Sequence, residues 1–225
     1  MVKQTSKKKG KSLKTKITAG VIGGILLISG GAMVTKKVIS PYEKVVSVID
    51  GDSFKIGRDQ TIRLSSLDAP EEENCAGKES KAMLTKMIDG KKVILKELKT
   101  DRYGRVMAMV YSKDGENINE YMVKNGLALH IWDTSTQNEI LDAANNFARK
   151  NNLGIFSSEC YQTTPPNPKC AIKGNIIEHT KNKEYILPEC NMYSSSIIER
   201  YKGEEWFCSE TEAKKAGYIK SKNCK

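Results

Sequence analysis

The sequence predicts an α+β fold: a small five-stranded β-barrel with three helices packed against it, followed by a short cysteine-stapled segment. Three observations predict it. The elements read in the order β-β-β-α-β-β-α-α, the strands are short and joined by Gly-rich turns, and a proline-rich stretch sets the last cysteines apart. Residues 42–49, rich in Val and Ile, make the first strand, and Asp50-Gly51 is a tight-turn dipeptide. Phe54 and Ile56 alternate behind it as the second. After a turn at residues 57–59, residues 61–67 form the third strand, with Ile62 and Leu64 on one face and Arg63 on the other. Ala82, Met83, Met87 and Ile88 recur at helical spacing, and Gly90 closes that helix. Val93 and Leu95 resume the strand pattern, as do Val106, Ala108 and Val110 after Tyr103-Gly104. A second helix is expected over residues 116–124, ending at Asn125-Gly126. A third opens on the capping box Thr136-x-x-Glu139 and carries Ile140, Leu141, Ala144, Phe147 and Ala148 on one face.

Thr163-Thr164-Pro165-Pro166-Asn167-Pro168 reads as a stiff polar linker. The expected organisation is therefore a tail over residues 1–37, a barrel domain over 42–160, a linker over 161–169 and a Cys-rich unit over 170–225. That last unit is small enough to need covalent staples.

The chain has 225 residues and a formal charge of +10. The excess is local. Residues 1–40 hold nine Lys and no acid, whereas residues 41–160 hold seventeen basic against nineteen acidic side chains. Residues 161–225 hold eleven against eight. A protein that coats nucleic acid through general basicity is excluded, and any phosphate binding has to be local. The tail has seven lysines within residues 1–16 and then an uncharged stretch over residues 17–35. This is the pattern of an export segment, either a cleaved signal or a retained anchor, with everything after residue 37 outside. Export makes disulfides the default for Cys75, Cys160, Cys170, Cys190, Cys208 and Cys224. The alternative for the C-terminal part is a zinc held by four widely spaced thiolates.

Four acids gather around two strand ends: Asp50 and Asp52 in the first turn, Asp68 and Glu71 after the third strand. Pro70 holds Ala69 extended and fixes how the acids and the Ala69 carbonyl are presented. Carboxylates brought together repel unless a cation sits between them, and an oxygen-only set favours a hard ion, Ca²⁺ or Mg²⁺. Arg63 and Arg105 beside such an ion make a site for a phosphate on which negative charge builds.

These residues resemble the staphylococcal (micrococcal) nuclease family. The resemblance rests on Val45-Val46-Ser47-Val48-Ile49-Asp50-Gly51-Asp52-Ser53, Ile62-Arg63-Leu64 and Asp68-Ala69-Pro70-Glu71. Further matches are Gly77-Lys78-Glu79-Ser80, Thr100-Asp101-Arg102-Tyr103-Gly104-Arg105 and Val123-Lys124-Asn125-Gly126-Leu127-Ala128. It covers about residues 42–158. It implies an OB-type barrel with three helices and Ca²⁺-dependent cleavage of phosphodiester bonds in DNA and RNA, using one ion; the chain is expected to be monomeric. By this likeness Asp52, Asp68 and the Ala69 carbonyl are the metal ligands, with Asp50 close by. Arg63 and Arg105 bind the scissile phosphate, and Glu71 orients or deprotonates the attacking water. Tyr103 and Trp132 are candidate nucleic-acid contacts, Trp132 standing where a base-stacking tyrosine is usual. Ser53 and Ala69 stand where threonines are common, and the loop after Glu71 is short. Cys75 and Cys160 flank the domain and are expected to pair, closing about 85 residues and adding roughly 4 kcal/mol. The C-terminal unit resembles a small domain appended to bacterial secreted nucleases, with Ile186 where a histidine is usual before Leu-Pro. The competing readings are a membrane-tethered OB barrel that binds nucleic acid without cutting it, and a surface protein with a vestigial barrel. Both would be expected to have lost acids or arginines that this chain retains.

Overall fold

Strands β1 (Tyr42–Val48), β2 (Ser53–Ile56) and β3 (Gln60–Leu64) form an antiparallel meander in the computed structural model, which describes residues 41–224. The signal or anchor expected over residues 1–37 lies outside the described residues. Among the described residues no helix is long and apolar enough to cross a membrane. Phe54, Ile56, Ile62 and Leu64 are buried, so alternate side chains of β2 and β3 fill the interior. The two-residue strand β4 (Leu67–Asp68) follows, then helix α1 (Gly77–Ile88). β5 (Lys92–Thr100) and β6 (Val106–Ser112) make a hairpin, β6 lying parallel to β3 and β5 antiparallel to β1. These pairings close the five-stranded barrel in the order β1-β2-β3-β6-β5.

Helix α2 (Ile118–Lys124), strand β7 (Leu129–His130) and helix α3 (Asn138–Lys150) complete this part, β7 pairing with β4. Leu84 and Ile88 of α1, Met122 and Val123 of α2, and Leu141 of α3 share one core with the barrel interior. Helix α2 starts two residues later than the pattern suggested, because the Asn117 side chain caps it by accepting the Glu120 N–H.

The capping box at α3 does not form. Thr136 Oγ1 and Ser135 Oγ both donate to the Glu97 carboxylate, so Thr136 is drawn away from the helix and α3 begins at Asn138. Glu97 reaches them from an irregularity in β5, where its own φ is +50°. The buried stripe of α3 is Asn138, Leu141, Ala144 and Ala148, whereas Ile140 and Phe147 are each 47% exposed.

Beyond the barrel, β8 (Tyr161–Gln162) opens the stretch expected to be linker, and β9 (Ile172–Ile176) and β10 (Lys183–Ile186) form an antiparallel pair. β11 (Ile198–Glu199) returns to pair with β8. β12 (Glu205–Phe207), helix α4 (Glu210–Lys215) and β13 (Ile219–Lys220) follow, giving a four-stranded sheet in the order β12-β9-β10-β13. Its core is small: Tyr185, Leu187, Phe207, Ala213 and Tyr218, with Gly174 needed because a Cβ there would lie 2.5 Å from the Phe207 ring. Buried Glu204 is its polar centre, accepting from the Ile176 N–H at 2.9 Å, the Glu199 N–H at 2.8 Å and Asn175 Nδ2 at 2.9 Å. Cys170 bonds Cys208 and Cys190 bonds Cys224, so no thiolate is left there for zinc.

Candidate active site

The first carboxylates are shaped by the β1–β2 turn. Asp50 Oδ1 accepts the Asp52 N–H at 2.9 Å, a local bond that stabilises the turn. Gly51 lets this turn lie against α1 and the Ala69 side chain. A Cβ there would fall 2.2 Å from Ser80 Oγ and 2.7 Å from Ala69 Cβ. The turn thus delivers Asp52, only 2% exposed, beneath the end of β3.

Asp52 is surrounded by donors. Ser53 Oγ donates to its Oδ1 at 2.7 Å, the Ala69 N–H to its Oδ2 at 3.1 Å, and Arg63 Nη1 to its Oδ1. Burial pushes the Asp52 carboxyl up to about 7, and neighbouring Asp50 adds to this. The Arg63 guanidinium and the Ser53 and Ala69 hydrogen bonds act in the opposite direction. Arg63 comes from the outward face of β3, opposite Ser53 in register, and its Nη2 donates to Asp68 Oδ1 at 2.5 Å. One guanidinium therefore spans two carboxylates, one buried and one largely exposed.

The segment carrying Glu71 is held by its backbone. Pro70 is buried, and the Glu71 carbonyl accepts the Asn74 N–H at 2.9 Å. Gly77, the first residue of α1, packs on that carbonyl so closely that a Cβ would lie 1.9 Å from it. Asn74 Nδ2 reaches the Tyr201 carbonyl at 3.4 Å, and Cys75 is bonded to Cys160 with S–S 2.00 Å. Glu71 itself is exposed at the surface of this fixed loop.

Arg105 stands at the end of the β5–β6 turn. Asp101 Oδ1 accepts the backbone N–H of both Tyr103 and Arg105 at 2.9 Å, and its Oδ2 accepts Arg105 Nε at 2.7 Å. The parallel register of β3 and β6 then brings Arg105 to the same cleft as Arg63. Arg63, Asp68 and Arg105 line a cavity of about 290 Å³ with Met107, Ile131 and Asp133. Tyr103 and Trp132, 69% and 63% exposed, do not line it. Tyr103 instead lies between the guanidinium groups of Arg102 and Arg105, and the Trp132 ring is 5.4 Å from that of His130.

Two supports of the site carry no motif. Asn119, fully buried on α2, accepts the Val110 N–H at 2.9 Å and donates to the Ser65 carbonyl at 2.8 Å. It thereby fixes the chain as it leaves β3 toward Asp68. Asp133 accepts from Lys99 Nζ and from Ser66 Oγ, tying that same exit to β5.

Among the described residues no three His, Cys, Asp or Glu side chains are arranged to hold a metal. The donors the resemblance implies are two carboxylates and a carbonyl, all oxygen, and the buried member, Asp52, is paired with Arg63. Such a set fits a hard cation better than a thiophilic one.

A family model described as staphylococcal nuclease homologue matches residues 61–158. An uncharacterized endonuclease of Escherichia coli is 34% identical over 119 residues, 52% of this chain and 77% of that protein. The succinoglycan biosynthesis protein ExoI of Rhizobium meliloti is 30% identical over 168 residues, 69% of this chain and 81% of that protein. An uncharacterized endonuclease of Haemophilus influenzae is 34% identical over 118 residues, 51% of this chain and 65% of its own length.

Proposed function

Because the chain belongs to the staphylococcal nuclease homologue family, we propose that it is an exported nuclease that hydrolyses phosphodiester bonds of DNA and RNA with the help of Ca²⁺. The observation that carries this reading is the Arg63 guanidinium spanning buried Asp52 and exposed Asp68 in a cleft that Arg105 also lines. Asp52, Asp68 and the Ala69 carbonyl hold the cation, with Asp50 completing the negative field around it. When bound, the ion supplies positive charge next to the scissile phosphate and polarises its oxygens.

Arg63 and Arg105 bind the phosphate. Each guanidinium carries five N–H donors, more than the carboxylate contacts use, and the spare ones face the oxygens on which negative charge grows. Glu71, exposed on a loop locked by Pro70 and Gly77, orients the attacking water and accepts its proton. The water oxygen bonds to phosphorus as the ester oxygen on the far side leaves with the bonding pair and is protonated from solvent. Ser53 and the Ala69 N–H keep the Asp52 carboxylate in one orientation throughout.

Export is supported by the lysine-led uncharged segment over residues 17–35 and by the pairing of all six cysteines. Residues 1–37 either leave as a signal or anchor the enzyme on the outer face of the membrane, and the enzyme acts as a monomer on extracellular nucleic acid. The test is cleavage of single-stranded and duplex DNA, and of RNA, by the full chain in Ca²⁺ and in EGTA, beside Glu71→Gln and Arg63→Ala. Cleavage that requires Ca²⁺ and collapses in both variants is expected. Salt-sensitive binding without cleavage would replace the enzyme by a tethered nucleic-acid-binding barrel.

A further inference from the structure

A second cleft, of about 320 Å³, opens on the other side of Asp68. It shares Asp68 and Ile131 with the cavity that holds Arg63 and Arg105, so the two run into each other. One wall is the Ala69-Pro70-Glu71 segment together with Leu129 of β7 and Ile131 beyond it. The opposite wall belongs to the C-terminal segment: Ile176 at the end of β9, Glu178 and Lys181 in the turn before β10, and Tyr201 with Lys202. That turn is closed by backbone bonds, Lys181 N–H to the Ile177 carbonyl at 2.7 Å and Ile177 N–H to the Asn182 carbonyl at 2.8 Å.

Charge and surface indicate what the cleft accepts. Asp68 is already paired with Arg63, and Lys202 with Glu199 at 2.6 Å. Within the cleft the acids Glu71 and Glu178 are thus set against Lys181 and the paired Lys202, leaving no excess positive charge for a buried phosphate. Pro70, Leu129, Ile131 and Ile176 give it an apolar lining, which suits the face of a base and its sugar. Lys181 is exposed, lines the cleft and has a φ of +59°. A strand whose scissile phosphate lies at Arg63 and Arg105 has to continue past Asp68, and this cleft adjoins it there.

Resting on the nuclease reading above, we infer that the C-terminal segment forms one wall of the substrate groove. The cleft between Glu71 and Ile176 takes the nucleoside next to the scissile phosphate on a single strand, and Lys181 contacts the following phosphate.

The test uses the full chain, EGTA to prevent cleavage, and fluorescence anisotropy of a labelled single-stranded 12-mer. Lys181→Asn suits the left-handed backbone and should weaken binding several-fold, lowering the slope of log affinity against log salt by about one. Ile176→Ser should weaken binding with the slope unchanged, and its thermal melt checks that the sheet survives. Wild-type affinity and slope in both variants, or no binding by the wild type, would overturn the inference. Cleavage by the wild type in Ca²⁺ is measured separately. Absent cleavage with binding that both variants weaken removes the nuclease reading and leaves the groove.

Discussion

At the residue scale the proposed mechanism depends on Arg63, whose one planar group pairs with buried Asp52 and exposed Asp68 and is assigned the phosphate. Arg63→Ala should lower kcat by roughly 10²–10³-fold, the usual loss for a donor aimed at developing charge. Arg63→Lys should recover little of it, because an ammonium point charge cannot span Asp52 and Asp68. Single-turnover cleavage of an oligonucleotide decides this, and near-wild-type turnover in the lysine variant would show that charge alone is needed. The grouping of Asp50, Asp52, Arg63 and Asp68 was legible in the sequence because Asp50 and Asp52 share one tight turn, strand alternation turns Arg63 outward, and Asp68 closely follows the third strand. Arg105 was legible through its turn motif. Asn119 was not, since its partners Ser65 and Val110 meet it only through the fold and a buried asparagine has no periodic signature. Nor was Glu97 as the partner of Thr136. A side-chain bond across 39 residues overrode a sound capping box.

At the element scale, α1 acts as a clamp on the Glu71 loop. Gly77 touches the Glu71 carbonyl, and Ser80 sits over Gly51 in the turn that presents Asp52. Gly77→Ala places a methyl where the backbone carbonyl is, so loop and helix have to separate and Glu71 shifts. The expected result is a fall in kcat of at least about tenfold, since displacements near 1 Å at a reacting group can cost about 10². Gly57→Ala is the control, with open space around its Cβ and no positive φ, and should leave kcat alone. Equal rates for the two variants would show that the clamp does not position Glu71. The C-terminal sheet makes a different statement through Glu204. Burial raises its carboxyl above the ordinary 4.5, against the hydrogen bonds from Glu199 and Ile176. The folded state therefore holds this proton more tightly than the unfolded chain. Its contribution to stability is greatest below about pH 4.5 and is lost as pH rises through the raised folded value. Urea midpoints followed upward from about pH 4 should show this decline, and Glu204→Gln should flatten it while lowering stability. A midpoint profile unchanged by the substitution would assign the decline to other groups. The glycine in the Gly77-Lys78-Glu79-Ser80 motif was visible in the sequence, but not what it touches.

At the scale of the whole molecule, the barrel and the C-terminal segment are joined where the Glu71 loop is anchored. Cys75 is bonded to Cys160, the Cys160 carbonyl accepts the Arg200 N–H at 2.8 Å, and Asn74 reaches the Tyr201 carbonyl. Trp206 Nε1 donates to Gln162 Oε1 at 2.8 Å, and β8 pairs with β11. Tyr201 packs with Ala148, Ile155 and Phe156, so its ring belongs to a core that α3 also lines. The proline-rich composition of residues 163–168 suggested a boundary, yet composition carries no information about a segment that folds back from 40 residues downstream. The bond between Cys75 and Cys160 closes a separation of 85 residues. Limiting the unfolded chain in this way contributes roughly 4 kcal/mol. We predict that the chain melts in one calorimetric transition, and that Cys75→Ser with Cys160→Ser moves all of it downward by about that amount. Because the same bond anchors the Glu71 loop, kcat should fall alongside stability in that variant. The pair Cys190→Ser with Cys224→Ser, remote from the loop, should lower the transition while leaving kcat near wild type. Two transitions, with only the first moved by the loss of Cys75 and Cys160, would mean that the C-terminal segment folds by itself. In that case its contacts with Asn74 and Gln162 would be too weak to couple it to the Glu71 loop.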